Sequence, residues 1–340
     1  MQNGAMTPDN EPAGERSCRQ LTLNRGDALT NLHFDPAEKT PVTIRNVIVI
    51  YNPRAGTLLA MGGDPEHTLR QLFEARGIHA ALHAFDKHRL NGIFERVDTA
   101  SVDAVVVCGG DGSILAVVTA IGTRKIPLGL LPGGTMNILA RDLGLPQELE
   151  AAADVILGGR TRAIDVAYVN EHPFLCNSAI GLMPHLARTR EKLREVSWWR
   201  KWPTVLRQAI RLIRTYPRLH VKIATGHETR HFRTRAIAIS NNPLLDAQGP
   251  IPPRETLDAG KLGIYIARDT SRWAVVRLAA RMMAGTWQQD ETVACLSIES
   301  AVLSLDRPRL LSVMNDGEPT QLYTPLHYSI RPRALHVLVA

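Results

Sequence analysis

The sequence predicts an α/β domain with a doubly wound sheet, followed by a β-rich antiparallel sandwich domain. Between residues 44 and 163, short apolar strands alternate with segments of helical spacing, as a parallel sheet with crossover helices requires. From 164 to about 324 the apolar residues recur mainly at every second position. Short polar turns join these segments, which is typical of antiparallel strands.

The α/β domain opens with the strand VIVIYN, which begins at Val47. A helix is expected to begin at Asp64 and Pro65 and to end before Gly77, because these residue types favour helix starts and ends. Three further strands are predicted by the segments IHAALHAF, DAVVVC and IPLGLLP. The helix between the last two has an apolar face formed by Ile114, Val117, Val118 and Ile121.

The second half contains the alternating segments AIDVAYVN, PFLCNSAI, LHVKIATG, TRAIAISNN, KLGIYIAR, ETVACLSIES and AVLSLDRPRLLSVMNDGE. Helical segments are expected near 184–216 and 271–284. Residues 1–43 carry no hydrophobic period and are rich in polar residues, proline and glycine, which predicts a disordered leader.

The composition indicates which kinds of partner and site to expect. The 340 residues carry 40 Lys and Arg against 33 Asp and Glu, a net charge of +7 that favours anionic partners. The four cysteines are scattered without a CxxC pair, so neither a disulfide framework nor a zinc site is indicated, and a reducing, cytoplasmic setting fits. No nucleic-acid-binding signature is present, and no apolar run approaches the roughly 20 residues that span a bilayer.

The segment VVVCGGDGSILAVV places an acid inside a glycine-rich corner. A strand that ends in Gly109, Gly110, Asp111 and Gly112 and leads into a helix at Ser113 can present backbone N–H groups to phosphate. We expect the acid to handle a metal–nucleotide complex, through Mg²⁺ or through hydrogen bonds to ribose or water. The alternative is an ordinary tight turn, for which the same residues are suitable.

Two more polar loops follow predicted strands. They are NPRAG, at 52–56, and PGGTMN, at 132–137. Because ligands of open α/β sheets bind beyond the carboxyl ends of the strands, we expect the three loops to converge there. Each loop alone is explained by a strand-to-helix connection, but together they favour a nucleotide site.

The motifs NPRAG, GGDGS, LPGGTMNILARDLGLP and NDGEP resemble, in this order, those of the diacylglycerol kinase catalytic-domain family. That family includes soluble bacterial diacylglycerol kinases, YegS-like lipid kinases, sphingosine kinases and ceramide kinases. The resemblance covers about 47–340. It implies an α/β nucleotide domain over 44–163, a β-rich lipid domain over 164–324, and a C-terminal segment, about 325–340, that returns to the first domain.

The resemblance also implies ATP and Mg²⁺ as cofactors, with no metal ligands assigned within the chain. The implied ATP contacts are Asn52, Pro53, Gly56, Gly109, Gly110, Asp111, Gly112, Ser113 and Thr135. Asn137 and Arg141 are expected to brace their loop. In the late DGE motif, Asp316 or Glu318 would accept the proton of the attacking hydroxyl, with Asp111 as the third catalytic residue. From the residues alone, this motif is a β-turn with solvated acids.

Two positions depart from the pattern of the relatives. Many relatives carry a glutamate where this chain has Ala116. Relatives with a structural Mg²⁺ in the β-rich domain often have two aspartates before a glycine, whereas this chain has Asp258, Ala259 and Gly260. We therefore expect that metal site to be lost.

The segment 186–218 holds ten Lys and Arg against two Glu. A helix beginning at Pro203 would carry a basic stripe of Arg207, Arg211 and Arg214 opposite an apolar face. Three tryptophans precede it, and tryptophan suits a membrane interface. We expect contact with an anionic membrane surface, and the alternative is a surface helix with solvated arginines.

The predicted function is transfer of the γ-phosphate of ATP to a primary hydroxyl of a diacylglycerol or a sphingoid-type lipid. The expected location is cytoplasmic, peripheral at the inner membrane surface, with ATP, lipid and membrane as partners and no nucleic acid; analogy leaves a homodimer open. Two alternatives are kept. One is a nucleotide or NAD kinase that uses the same glycine corner, and the other is a non-catalytic lipid-binding module.

Overall fold

The protein is described by a computed structural model. The residues that it describes are 40–96, 101–184, 216–226, 228–249, 252–268 and 271–340. The predicted leader and most of the basic segment lie outside these residues. None of the helices in the described ranges is long and apolar enough to cross a bilayer.

The first domain is built on parallel strands. After the short β1 (Thr40–Pro41) come β2 (Asn46–Tyr51), β3 (His79–Ala84), β4 (Ala104–Gly109) and β5 (Leu128–Pro132). Their order in the sheet is β5-β4-β2-β3, and all three pairings are parallel. The chain order reverses between β2 and β4, so the loops that follow these strands diverge and leave a crevice at their carboxyl ends.

Helices cover both faces of this sheet. They are α1 (Gly56–Met61), α2 (Pro65–Glu74), α3 (Leu90–Arg96), α4 (Asp111–Ile121), α5 (Ile138–Asp142) and α6 (Leu149–Leu157). Successive residues of β4 point to opposite faces: Val105 and Val107 join the core beneath α3, α4 and α5, and Val106 and Cys108 join the core beneath α1, α2 and α6. Burial on both faces explains why β4 is apolar throughout.

The rest of the chain is mainly strand. Its elements are β6 (Arg160–Val169), β7 (His172–Phe174), β8 (Asn177–Gly181), β9 (Leu219–Ala224), β10 (Thr229–Thr234), β11 (Ala236–Asn241), β12 (Leu262–Ala267), α7 (Arg272–Ala284), β13 (Val293–Ile298), β14 (Ser300–Leu305), β15 (Leu310–Asn315), β16 (Glu318–Tyr323) and β17 (Leu326–Val339). The second sheet has the order β13-β12-β11-β8-β15-β16 and is antiparallel throughout.

The first sheet continues into the β-rich part of the chain. Its full path is β10-β9-β14-β17-β5-β4-β2-β3, and β6 pairs with β17 along most of the length of both strands. The end of β17 pairs in parallel with β5, through Val337 and Leu128. A third apolar core fills the space between the two sheets.

The predicted fold class is confirmed: a mixed α/β sheet domain is joined to an antiparallel β-sheet domain. One predicted strand, PFLCNSAI, is instead two strands in different sheets, because the chain leaves β7 of the first sheet at Phe174 and enters β8 of the second at Asn177. The expected helix near 184–216 falls almost entirely outside the described residues.

Candidate active site

The glycine corner joins β4 to α4. Gly110 precedes the helix in an extended conformation, and no side chain among the described residues caps the helix start. The first N–H groups of a helix have no partner within it, so this end of α4 can bind an anion. Gly110 also lies against Gly134 of the PGGTMN loop. A Cβ added at Gly134 would lie 2.5 Å from the Cα of Gly110. Any side chain at Gly134 would separate the two loops.

The loop after β2 is tied to the same corner. The Asn52 amide donates from Nδ2 to the Ser113 Oγ over 3.3 Å, and its Oδ1 accepts the Arg54 N–H at 3.0 Å. The Thr57 hydroxyl donates to the carbonyl of Pro132 at 3.3 Å. The three polar loops predicted to converge therefore meet through direct hydrogen bonds.

Asn137 holds the PGGTMN loop from inside. It adopts a left-handed conformation with φ of 48°, and its buried side chain accepts the Gly134 N–H at 2.9 Å and donates to Gln147 at 3.2 Å. Thr135 and Arg141 are exposed. The loop is thus fixed by side-chain bonds on its inner side and open on its outer side.

Asp111 has a structural contact in addition to its position at the corner. Its Oδ1 accepts the N–H of Leu139, in the first turn of α5, at 3.3 Å. The side chain is half-buried. Asp111 therefore links the first residue of α4 to the helix that follows the PGGTMN loop.

Asp316 lies in the two-residue turn between β15 and β16. Asp316 and Gly317 have φ values of 47° and 89°, and positive φ at both central residues is what a type I′ hairpin turn requires. The Asp316 carboxylate accepts three backbone N–H groups, from Leu175 at 2.6 Å, Cys176 at 2.9 Å and Asn177 at 2.8 Å. These donors are the residues at which the chain changes sheets.

Burial raises the pKa of Asp316 to about 6, with a further contribution from the negative charge of Asp111. The three N–H donors act in the opposite direction, because they stabilise the carboxylate. A carboxyl group that titrates near neutral pH can accept a proton and release it again during turnover.

Glu318 brings the turn of the β-rich domain against the α/β domain. An added Cβ at Gly112 would lie 2.9 Å from the Glu318 Oε1, so this carboxylate touches the first turn of α4. Glu318 is exposed, whereas only 9% of Asp316 is exposed. The DGE and GGDG motifs, about 200 residues apart in the chain, thus form one site.

The residues at this corner fit a magnesium–nucleotide complex. Glycines leave room for close approach of phosphate to the backbone, the start of α4 supplies N–H donors, and the carboxylate of Asp111 stands beside them. Pro53 and Gly56, in the loop after β2, are exposed.

The loop before β12 does not fit a structural Mg²⁺. Asp258 pairs instead with Arg162, with 3.0 Å between Oδ1 and Nη2, and both side chains are mostly buried. The guanidinium already supplies the positive charge that a cation would bring. In the described part of the chain, no group of three or more His, Cys, Asp or Glu could hold a metal ion.

Sequence reasoning missed the backbone donors of Leu175–Asn177 and the buried Arg254 behind them. A backbone amide has no signature in the sequence, because every residue except proline carries one. Arg254 stands in no motif, and its carboxylate partner Asp142 is 112 residues away.

The chain matches two family models in order. The diacylglycerol kinase catalytic domain matches residues 46–169, and the YegS C-terminal NAD kinase beta sandwich-like domain matches 186–339. Among solved structures, a diacylglycerol kinase of Bacillus anthracis superposes with a TM-score of 0.64 at 20% identity, covering 87% of this chain and 97% of that one. At this identity, the superposition supports the fold alone.

Curated relatives match shorter stretches. A diacylglycerol kinase of Staphylococcus epidermidis is 30% identical over 153 residues, 44% of this chain and 48% of the relative. A YegS-like lipid kinase of Klebsiella pneumoniae is 42% identical over 83 residues, 24% of this chain and 28% of the relative. The aligned stretch spans about half the length of the first of these and less of the second. The two ordered family matches together cover most of the chain, and they show that it belongs to the diacylglycerol kinase catalytic-domain family.

Proposed function

We propose that the protein transfers the γ-phosphate of ATP, bound with Mg²⁺, to a primary hydroxyl group of a diacylglycerol or sphingoid-type lipid. The observation that carries the proposal is the contact between the DGE turn and the glycine corner, made by Glu318 and Gly112. It joins a set of phosphate-binding N–H groups to a buried carboxyl group whose pKa is about 6.

In this proposal the chain positions the groups and moves one proton. The start of α4 and the loops around Gly110 and Gly134 hold the phosphates, and Asp111 organises the metal–nucleotide complex. Asp316 accepts the proton as the lipid oxygen bonds to the γ-phosphorus and the bond to the β–γ bridging oxygen breaks. ADP leaves, and the phosphorylated lipid is released. Bound ATP supplies the phosphoryl group, and Mg²⁺ neutralises its charge.

For membrane access we propose the basic segment 186–218, on its composition alone. Its ten basic residues against two acidic ones, together with three tryptophans, suit an anionic interface. The test is cosedimentation of Arg207→Gln/Arg211→Gln/Arg214→Gln with anionic vesicles at low and high salt. Binding should weaken most at low salt, because screening already weakens it at high salt. Unchanged vesicle binding would contradict this role.

The test of the function is transfer of label from γ-labelled ATP to a panel of diacylglycerols, sphingoid lipids and NAD, with Asp316→Asn as the inactive comparison. Labelled lipid, formed by the wild type and not by the variant, is the expected result. Labelled NAD would favour the nucleotide-kinase alternative. Lipid binding without consumption of ATP would favour a non-catalytic module.

A further inference from the structure

A buried arginine connects the two halves of the site. Only 4% of Arg254 is exposed, and its Nε donates to Oδ2 of Asp142 over 2.6 Å. Its Nη1 donates to the carbonyl oxygen of Leu175, and also to that of Asn241 at 3.3 Å. The guanidinium thus binds one carboxylate of the α/β domain and two backbone carbonyls of the β-rich part.

On the nucleotide side, the contact is made through α5. Asp142 is the last residue of this helix, and Leu139, in its first turn, donates its N–H to Asp111. The helix has only five residues and is therefore about 7 Å long. A shift of Asp142 would be transmitted along this short helix to Asp111 and to the loop that carries Gly134.

On the acceptor side, Arg254 binds the same peptide segment that holds Asp316. Leu175 donates its N–H to Asp316 and accepts from Arg254 through its carbonyl. The Asn241 side chain also donates to the Leu175 carbonyl, at 3.0 Å, and its backbone N–H donates to the Cys176 carbonyl at 3.0 Å. The segment is therefore held from behind while its N–H groups face the carboxylate.

We propose that Arg254 is a positioning residue that keeps Asp316 in register with the nucleotide-binding loops, through Asp142 on one side and Leu175 on the other. This inference rests on the proposed kinase function and deepens it. Arg254 acts through the backbone that it holds and takes no part in bond formation. The planar guanidinium is required because one group must donate in several fixed directions.

The positive charge of Arg254 should also affect the pKa of Asp316. The titratable and charged groups near Asp316 are Asp111, the Cys176 thiol, Arg254 with its partner Asp142, and Glu318 two residues further along. Arg254 is the positive group of this set. Its loss should raise the pKa of Asp316 further and move the acid limb of a kcat–pH profile to higher pH.

The experiment compares two variants. Arg254→Lys keeps the charge but loses the planar fork, and we expect kcat to fall about tenfold with the acid limb unchanged. Arg254→Met/Asp142→Leu replaces the buried ion pair by apolar groups, which proteins often tolerate. For this double variant we expect kcat to fall about 100-fold, because small displacements of reacting groups have effects of that size, with the KM for ATP within about threefold.

A matched control is available on the surface of the α/β domain. Arg76 donates to Asp154 at 2.7 Å and to the carbonyls of Leu72 and Glu150 at 2.9 and 3.0 Å, which is the same combination of partners. Arg76→Met/Asp154→Leu should alter stability without changing kcat or its pH profile. An equal loss of kcat in this control and in the Arg254 double variant would show a merely structural role and would overturn the proposal.

Wild-type kcat in the folded double variant would also overturn it. If the double variant does not fold, Arg254→Lys tests the proposal instead. Wild-type kcat in Arg254→Lys would show that the planar guanidinium is not required. The Asp316 carboxyl resonance, assigned by its loss in Asp316→Asn, gives a readout that does not require activity. Its pKa should rise in Arg254→Met, which removes the positive charge and keeps Asp142, and an unchanged value there contradicts the inference even if the wild type phosphorylates no lipid.

Discussion

Asp111 and Asp316 are both aspartates followed by a glycine, yet their surroundings differ. Asp111 is half-buried at the start of a helix and accepts one long hydrogen bond from Leu139. Asp316 is buried in the second domain and accepts three backbone N–H groups. The comparison teaches that burial, and not the Asp-Gly sequence that the two sites share, raises the pKa of Asp316 to about 6 against the opposing effect of its three backbone donors.

Removal of each carboxylate should also affect a different step. Asp111 is expected to organise charge that the nucleotide brings, so its loss affects both binding and turnover. Asp316 is expected to act only as the proton moves, so its loss should appear in kcat.

Replacing Asp316 should have the largest effect. In Asp316→Asn the side chain can no longer accept a proton, and we expect kcat to fall about 1,000-fold with little change in the KM for ATP. Steady-state kinetics under conditions where chemistry limits the rate provide the measurement. Glu318→Gln is the comparison, because Glu318 is exposed and its loss should cost less. Wild-type kcat in both variants would show that the DGE motif serves only as a turn.

The pH dependence of stability sharpens the same comparison. The folded-state pKa of Asp316 is about 6, above the usual value of 3.8. Its protonated form therefore stabilises the folded state below about pH 4, and this contribution is lost as the pH rises through 6. The free energy of unfolding of the wild type relative to Asp316→Asn should fall by about 2 kcal/mol between pH 4 and pH 7. Urea titrations at several pH values measure it, and a constant difference contradicts the raised pKa.

For Asp111 we expect a smaller but broader effect. Asp111→Ala should lower kcat/KM for ATP about 100-fold, since charge organisation at the phosphates is lost. It should also lower the free energy of unfolding by about 1 kcal/mol, because the Leu139 N–H loses its acceptor. Asp111→Asn keeps an acceptor and should retain stability while losing activity. Full activity in Asp111→Ala would exclude the proposed role.

The smallest expected effect concerns the contact of the two glycine loops. Gly134→Ala places a Cβ 2.5 Å from the Gly110 Cα, so the loops must separate, and we expect the KM for ATP to rise about tenfold. Gly92→Ala is the control, because Gly92 lies inside α3 and its added Cβ meets nothing within 4 Å. That substitution should leave the KM unchanged and stabilise the helix slightly. Equal KM values in both variants would show that the close approach is unimportant.

The sequence predicted those elements that depend on residues close together in the chain. The apolar run of β4, the capping Asp64 and the glycine corner each depend on neighbours in the chain. The split of PFLCNSAI between two sheets could not be predicted, because Leu175 and Cys176 continue the apolar character of both strands. The bonds from Leu175 to Asp316 and from Arg254 to Asp142 and Leu175 connect residues 79 to 141 positions apart, and no spacing rule connects them.

The pairing of β17 with β5 has a consequence for biosynthesis. One edge of β5 remains without its partner until roughly 200 further residues have been made, which takes about 10 to 40 seconds at the usual rates of translation. During this interval the nascent α/β domain presents an apolar strand, buried in the finished protein, with an open row of backbone groups. Nascent chains should therefore depend on holding chaperones during this interval, and truncations within β17 should leave the same edge open permanently and promote aggregation.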